Sequence, residues 1–296
     1  MAGNFLYLIT SVVLSSGRSV FSKKMACLPP KPGLFFRNQM LLFLSAGLLL
    51  WAGNPDAFAV ISPVTVGYSV IYGLLLIASQ WMYTFAMRLG LTSVCSLIYS
   101  LGFIFPTISG VLFWNETFTG NDLIGVILVL AVILLTFRGD TEGVESGKKM
   151  QFLLAILTAM TASGGLGILQ KVQQSTEEAA AETSAFLILA FVLAFTASGS
   201  VYLFRRSWAA ESADAKKTAI RGMIWPVLAG LCFGGANLLN TVLAGRMKSA
   251  VFFPLLNILT ILLCTFCGIL LFREKLTLKT VIGLILGMVA VVVLSI

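Results

Sequence analysis

From Ser249 to Phe272 the chain runs for 24 residues without a charged side chain. A helix of that length reaches about 36 Å at 1.5 Å per residue, more than the roughly 30 Å of hydrocarbon in a bilayer. Lipid offers no hydrogen bonds to an exposed backbone, so such a run must satisfy its own N–H and C=O groups, as a helix does. Similar runs recur along the chain. Of its 296 residues 58% are hydrophobic and only 11% charged, where a soluble domain carries about 25% charged residues. There is too little polar surface to face water on every side. The sequence specifies an all-α membrane protein.

Apolar runs set against charged or Pro/Gly breaks predict ten transmembrane helices, near residues 4–22, 34–53, 64–87, 92–114, 120–137, 150–171, 183–204, 222–246, 249–272 and 278–296. The N-terminus lacks the cationic n-region of a cleavable signal. The five cysteines are scattered, and Cys264-x-x-Cys267 falls inside a span, where it reads as two small residues on one helix face.

The chain repeats itself. Leu112–Leu128, LFWNETFTGNDLIGVIL, returns 158 residues later at Leu270–Leu286 as LLFREKLTLKTVIGLIL. The same offset pairs Ala78 with Ala236, Arg88 with Arg246, Thr107 with Thr265 and Gly110 with Gly268. The first helices match at an offset of 147, Ser16-Gly17 with Ser163-Gly164 and Lys24 with Lys171. The expected organisation is a five-helix repeat over 1–137, a polar linker over 138–150 and a second five-helix repeat over 151–296. An odd-numbered repeat enters the membrane in opposite senses, giving two inverted repeats with a site at their interface near the midplane.

Sixteen of the 20 Lys and Arg residues fall in the loops after odd-numbered helices, three in the loops after even-numbered ones, and Arg18 lies within a span. The positive-inside rule then puts both termini outside. The net charge of +8 is topological on this reading and implies no nucleic-acid partner.

The stretch Ser249–Leu294 resembles the drug/metabolite transporter superfamily, specifically its ten-helix EamA-like members. The resemblance rests on Pro254-Leu-Leu, a helix ending in Phe-x-Glu-x-Leu-Thr (Phe272, Glu274, Leu276, Thr277), and Ile282-Gly283 opening the last span. The first half carries a weaker copy. The resemblance implies a plasma-membrane, multi-pass secondary transporter of a small polar or amphipathic metabolite, amino acid-like, nucleotide-related or drug-like, working by alternating access as a monomer or homodimer without a cofactor. It also implies cytoplasmic termini, against the charge count. The alternative is a membrane scaffold or receptor with the same fold that moves nothing. An intramembrane enzyme is disfavoured: there is no histidine, and none of the twelve Asp and Glu residues lies deep in a span, which also argues against carboxylate-based proton coupling.

Arg18 is the one charge well inside a span. It is a candidate for binding a carboxylate or phosphate, unless its stem snorkels to the interface. In the eighth helix Gly230, Gly234, Asn237, Thr241 and Ala244 share one face, with Asn240 beside them. Gln80, Tyr83, Tyr99 and Asn257 add polar groups from the third, fourth and ninth helices. These side chains form either a central substrate cavity or plain interhelical hydrogen bonds. Glu116 and Glu274 with Thr119 and Thr277 are expected to build interfacial turns and helix caps, and Pro254 to be structural. Gly283-x-x-x-Gly287 serves either a dimer face or an internal contact.

Overall fold

The computed structural model describes residues 2–28, 32–59, 61–115, 146–206, 222–273 and 278–295, with isolated positions between 120 and 128. The helices are α1 (Ala2–Ala26), α2 (Pro32–Gly53), α3 (Pro63–Leu89), α4 (Thr92–Ser100), α5 (Ile104–Trp114), α6 (Lys149–Ser175), α7 (Thr183–Arg206), α8 (Ile224–Arg246), α9 (Ser249–Phe272) and α10 (Leu278–Ser295). Among the described residues there is no strand, and eight helical segments are long and apolar enough to cross a membrane. Glu116, Thr119, Glu274 and Thr277, and most of the expected fifth span, lie outside the described residues.

Local chemistry sets the ends. Pro63 opens α3 where its missing N–H costs nothing, and the Ser62 hydroxyl accepts the Thr65 N–H at 3.2 Å as an N-cap. The expected single helix over 92–114 is interrupted by a 3-10 turn at Leu101–Phe103. Two features account for it. Pro106 has no N–H to give to the Gly102 carbonyl, and Gly102 packs so closely on α6 that a Cβ there would sit 3.1 Å from the Gly164 backbone nitrogen.

The first helix extends to Ala26, four residues past its expected end. Lys23 stays helical because its ammonium donates to the carbonyls of Met87 at 3.0 Å and Gly90 at 2.7 Å, closing the C-terminus of α3. Lys171 of α6 donates likewise to Met247 at 3.4 Å, just past α8.

Packing runs in exchanged pairs. α1 lies along α8, and α3 along α6; α2 packs on α8, and α3 on α7; α2 and α7 pack on each other. The α2–α8 seam is the tightest. A Cβ at Gly230 would overlap the Ser45 hydroxyl and the Leu42 carbonyl oxygen, and one at Gly234 would lie 2.9 Å from the Ala46 carbonyl oxygen. Small residues bring the backbones together where no hydrophobic force separates protein from lipid. A Cβ at Gly287 would lie 3.7 Å from Leu97 Cδ1, and Leu286 packs on Leu97 and Ile261. That face of α10 is therefore turned to its own chain.

Candidate functional site

A polar stripe of serines runs down α1, and Arg18 sits on it. Ser11, Ser19 and Ser22 are fully buried, and Arg18 is 5% exposed. The guanidinium does not snorkel. Its Nη1 donates to Gln80 Oε1 at 3.2 Å and to the Tyr99 hydroxyl at 3.3 Å. Its Cζ lies 4.8 Å from the Tyr83 ring centroid, 4.8 Å from that of Tyr99 and 4.9 Å from that of Phe233. Aromatic faces attract a cation and cost little desolvation, so they are suitable walls for a buried Arg.

These partners are themselves held. Gln80 Nε2 donates to Thr84 at 3.2 Å and to Ser22 at 3.4 Å. Tyr83 bonds Ser19 and Ser96, each at 3.0 Å, and Tyr99 bonds Ser79 at 2.8 Å. The two tyrosine rings lie 4.5 Å apart. The side chains around the cation thus have fixed rotamers, and this preorganises the site.

A cavity of about 100 Å³ opens beside the guanidinium. Helices from both halves of the chain line it: α1, α4, α5 and α3 from the first, α6, α8 and α9 from the second. The 3-10 interruption reaches it through Gly102 and Phe103, and the turn after Pro254 reaches it through Leu256 and Asn257. None of its described lining residues is Asp or Glu.

The expected site residues divide into two groups. Arg18, Tyr83, Tyr99, Asn237, Asn240 and Asn257 line the cavity. Gln80 and Thr241 are fully buried and do not: Gln80 holds Arg18, and the Thr241 hydroxyl bonds back to the Asn237 carbonyl at 2.8 Å. Asn237 is largely occupied by the protein. Its Oδ1 accepts from the Tyr72 hydroxyl at 2.6 Å and Gln170 Nε2 at 3.5 Å, and its Nδ2 donates to the Phe233 carbonyl at 2.8 Å. Asn240 takes the Ser11 hydroxyl on Oδ1, and Asn257 donates to the Phe253 carbonyl at 2.7 Å. Each of these two keeps its other amide atom for the cavity.

Sequence reasoning passed over Tyr72, Gln170 and Phe233. Gln170 precedes Lys171 and reads as the interfacial end of a helix, and Phe233 as plain core. The serines of α1 were legible, since Ser11, Ser15, Ser19 and Ser22 recur at spacings of four, four and three.

A bundle of apolar helices around a polar cavity defines a multi-pass membrane protein. Residues 3–138, nearly the first half of the chain, match the EamA-like transporter family. Over those residues the chain is similar to membrane transporters of the drug/metabolite type. A solved crystal structure of another protein is similar in fold over 99% of this chain and 96% of that one, with a TM-score of 0.63 at 15% sequence identity. No curated protein matches the sequence.

Proposed function

We propose that the protein is a secondary transporter that moves a small polar or amphipathic metabolite through the cavity beside Arg18 by alternating access. The observation that carries this reading is the placement of the cavity. It is enclosed by helices of both chain halves and flanked by one helix break, the 3-10 turn at Leu101–Phe103, and by the turn of α9 just past Pro254. A helix interrupted beside a pocket between repeats is a recurring way for transporter folds to bind solutes in mid-membrane. The exchanged pairing of α1–α8 with α3–α6 supports a pair of five-helix repeats related by a pseudo-twofold axis, with residues 151–296 forming the second EamA-like unit.

Arg18, Asn240 and Asn257 contact the solute in this account. Gln80, Tyr83 and Tyr99 position the guanidinium, and Asn237 and Thr241 stiffen α8 behind the pocket. The test is solute flux in proteoliposomes containing the purified protein, across amino acids, nucleosides, organic anions and cationic drugs. Flux of at least one class that disappears in Asn257→Ala supports the reading. Absence of protein-dependent flux for every class supports a scaffold or receptor instead.

A further inference from the structure

We infer that the solute is a small amphipathic organic anion, a carboxylate or a phosphate ester, whose charged group docks on the open edge of Arg18. This deepens the transporter reading and rests on it.

The argument begins with an imbalance. Moving a guanidinium out of water costs several kcal/mol after relaxation, and a buried charge is ordinarily paired. Arg18 is 5% exposed, yet its hydrogen-bond partners are two neutral oxygens and its other neighbours are three aromatic faces. Among the described residues, none that lines the cavity it faces is a carboxylate. An anion is therefore the missing member of the site.

The geometry leaves a place for it. Both hydrogen bonds of Arg18 come from Nη1. Nε and Nη2 donate to no described side chain, and neither is sealed from the cavity. Those two nitrogens form the fork that a carboxylate or phosphate accepts from in a bidentate fashion. The rest of the wall describes the rest of the ligand. Phe103, Phe233, Phe253 and Leu256 offer an apolar surface for a flat or branched body, while Asn240 and Asn257 supply one amide group each. A cation finds no acidic partner here and meets the repulsion of Arg18. A neutral solute leaves the guanidinium uncompensated.

The test is binding to purified protein in detergent, read as a shift in thermal unfolding. Four probes of one shape are used: benzoate, phenyl phosphate, benzamide and benzylammonium. The expected result is binding of benzoate or phenyl phosphate about 10- to 100-fold tighter than of benzamide, the range for a charged hydrogen-bonded pair against a neutral one, with no shift from benzylammonium. Arg18→Gln abolishes the preference. Arg18→Lys, which keeps the charge but loses the fork, retains part of it and serves if Arg18→Gln does not fold. Comparison of the two anions separates a carboxylate from a phosphate source. Equal binding of all four probes, preference for benzylammonium, or no binding of either anion overturns the inference. The proteoliposome screen keeps this separate from the transporter reading. Flux of a neutral or cationic solute without anion binding sinks the inference alone, and anion binding without flux of any solute sinks the transporter reading alone.

Discussion

Asn115 and Arg273 adopt the same left-handed backbone, with φ of 50° and 52°, and each donates its N–H to a carbonyl five residues back, Gly110 and Gly268. They are the two non-glycine residues with positive φ among those described, and they stand 158 residues apart. That is the offset of the sequence echo. Asn tolerates this conformation better than Arg, whose Cβ crowds the following carbonyl. Arg273→Gly is expected to raise the apparent melting temperature in detergent, gaining about 1 kcal/mol, and Asn115→Gly to gain less. Valine at either site lowers it. Opposite responses at the two positions would argue against equivalent turns.

Arg18 has no counter-ion among the described residues, so its removal should separate stability from function. Arg18→Met is expected to leave the melting temperature unchanged or to raise it, within the 1–4 kcal/mol seen when buried charges give way to apolar side chains, while solute flux is lost. Parallel measurement of melting and flux checks this. A steep loss of stability would mean that the aromatic and amide partners overcompensate the charge.

The α2–α8 seam depends on Gly230. Overpacking a tight core costs about 1–3 kcal/mol, and Gly230→Ala, whose Cβ would overlap Ser45 and Leu42, should fall at the high end of that range. Gly47→Ala is the control. Its Cβ would meet Phe191 Cβ at an ordinary 3.6 Å, so the variant should be neutral or stabilised by helix propensity. Melting curves of the two variants read the difference.

Glu182, immediately before α7, ties the start of that helix to the start of α3. Its carboxylate accepts the Ser62 N–H and the Ser62 hydroxyl, each at 3.0 Å. Hydrogen bonding to the Thr65 hydroxyl first, then to the Ser62 backbone and hydroxyl, holds its pKa below the usual carboxylate range. A depressed carboxylate contributes stability that is fully present above its unfolded pKa, near 4.3, and is lost as pH falls through the folded value. Glu182→Gln should therefore melt below the wild type at neutral pH, and the gap should close on acidification. A gap that is constant with pH would contradict the contact.

The span positions were legible because apolar length is a one-dimensional property: α9 runs over the expected 249–272, and α2 and α3 begin and end within about two residues of expectation. The inward turn of α8 was legible too, since Gly230, Gly234, Asn237, Thr241 and Ala244 share a face and all are buried. Features set by contact partners were not. Lys23 looked like a loop residue because nothing local announces that the end of α3 needs a cation. The offset of 147 in the first helices chose Lys24 as the counterpart of Lys171, whereas Lys23 is the lysine that closes α3. The division of labour in the site was hidden for the same reason. Spacing puts Asn237 and Asn240 on neighbouring faces, but only the positions of Tyr72, Gln170 and Ser11 decide which amide atoms remain for a ligand.

The most direct test of the transport pathway is labelled-solute flux from proteoliposomes, wild type against Asn257→Ala, whose side chain has a single internal hydrogen bond to lose. The account predicts protein-dependent flux that falls about tenfold or more in the variant, one lost hydrogen bond in the pocket plus its misalignment, with the melting temperature nearly unchanged. Flux equal in both proteins would place the pathway elsewhere and contradict the account.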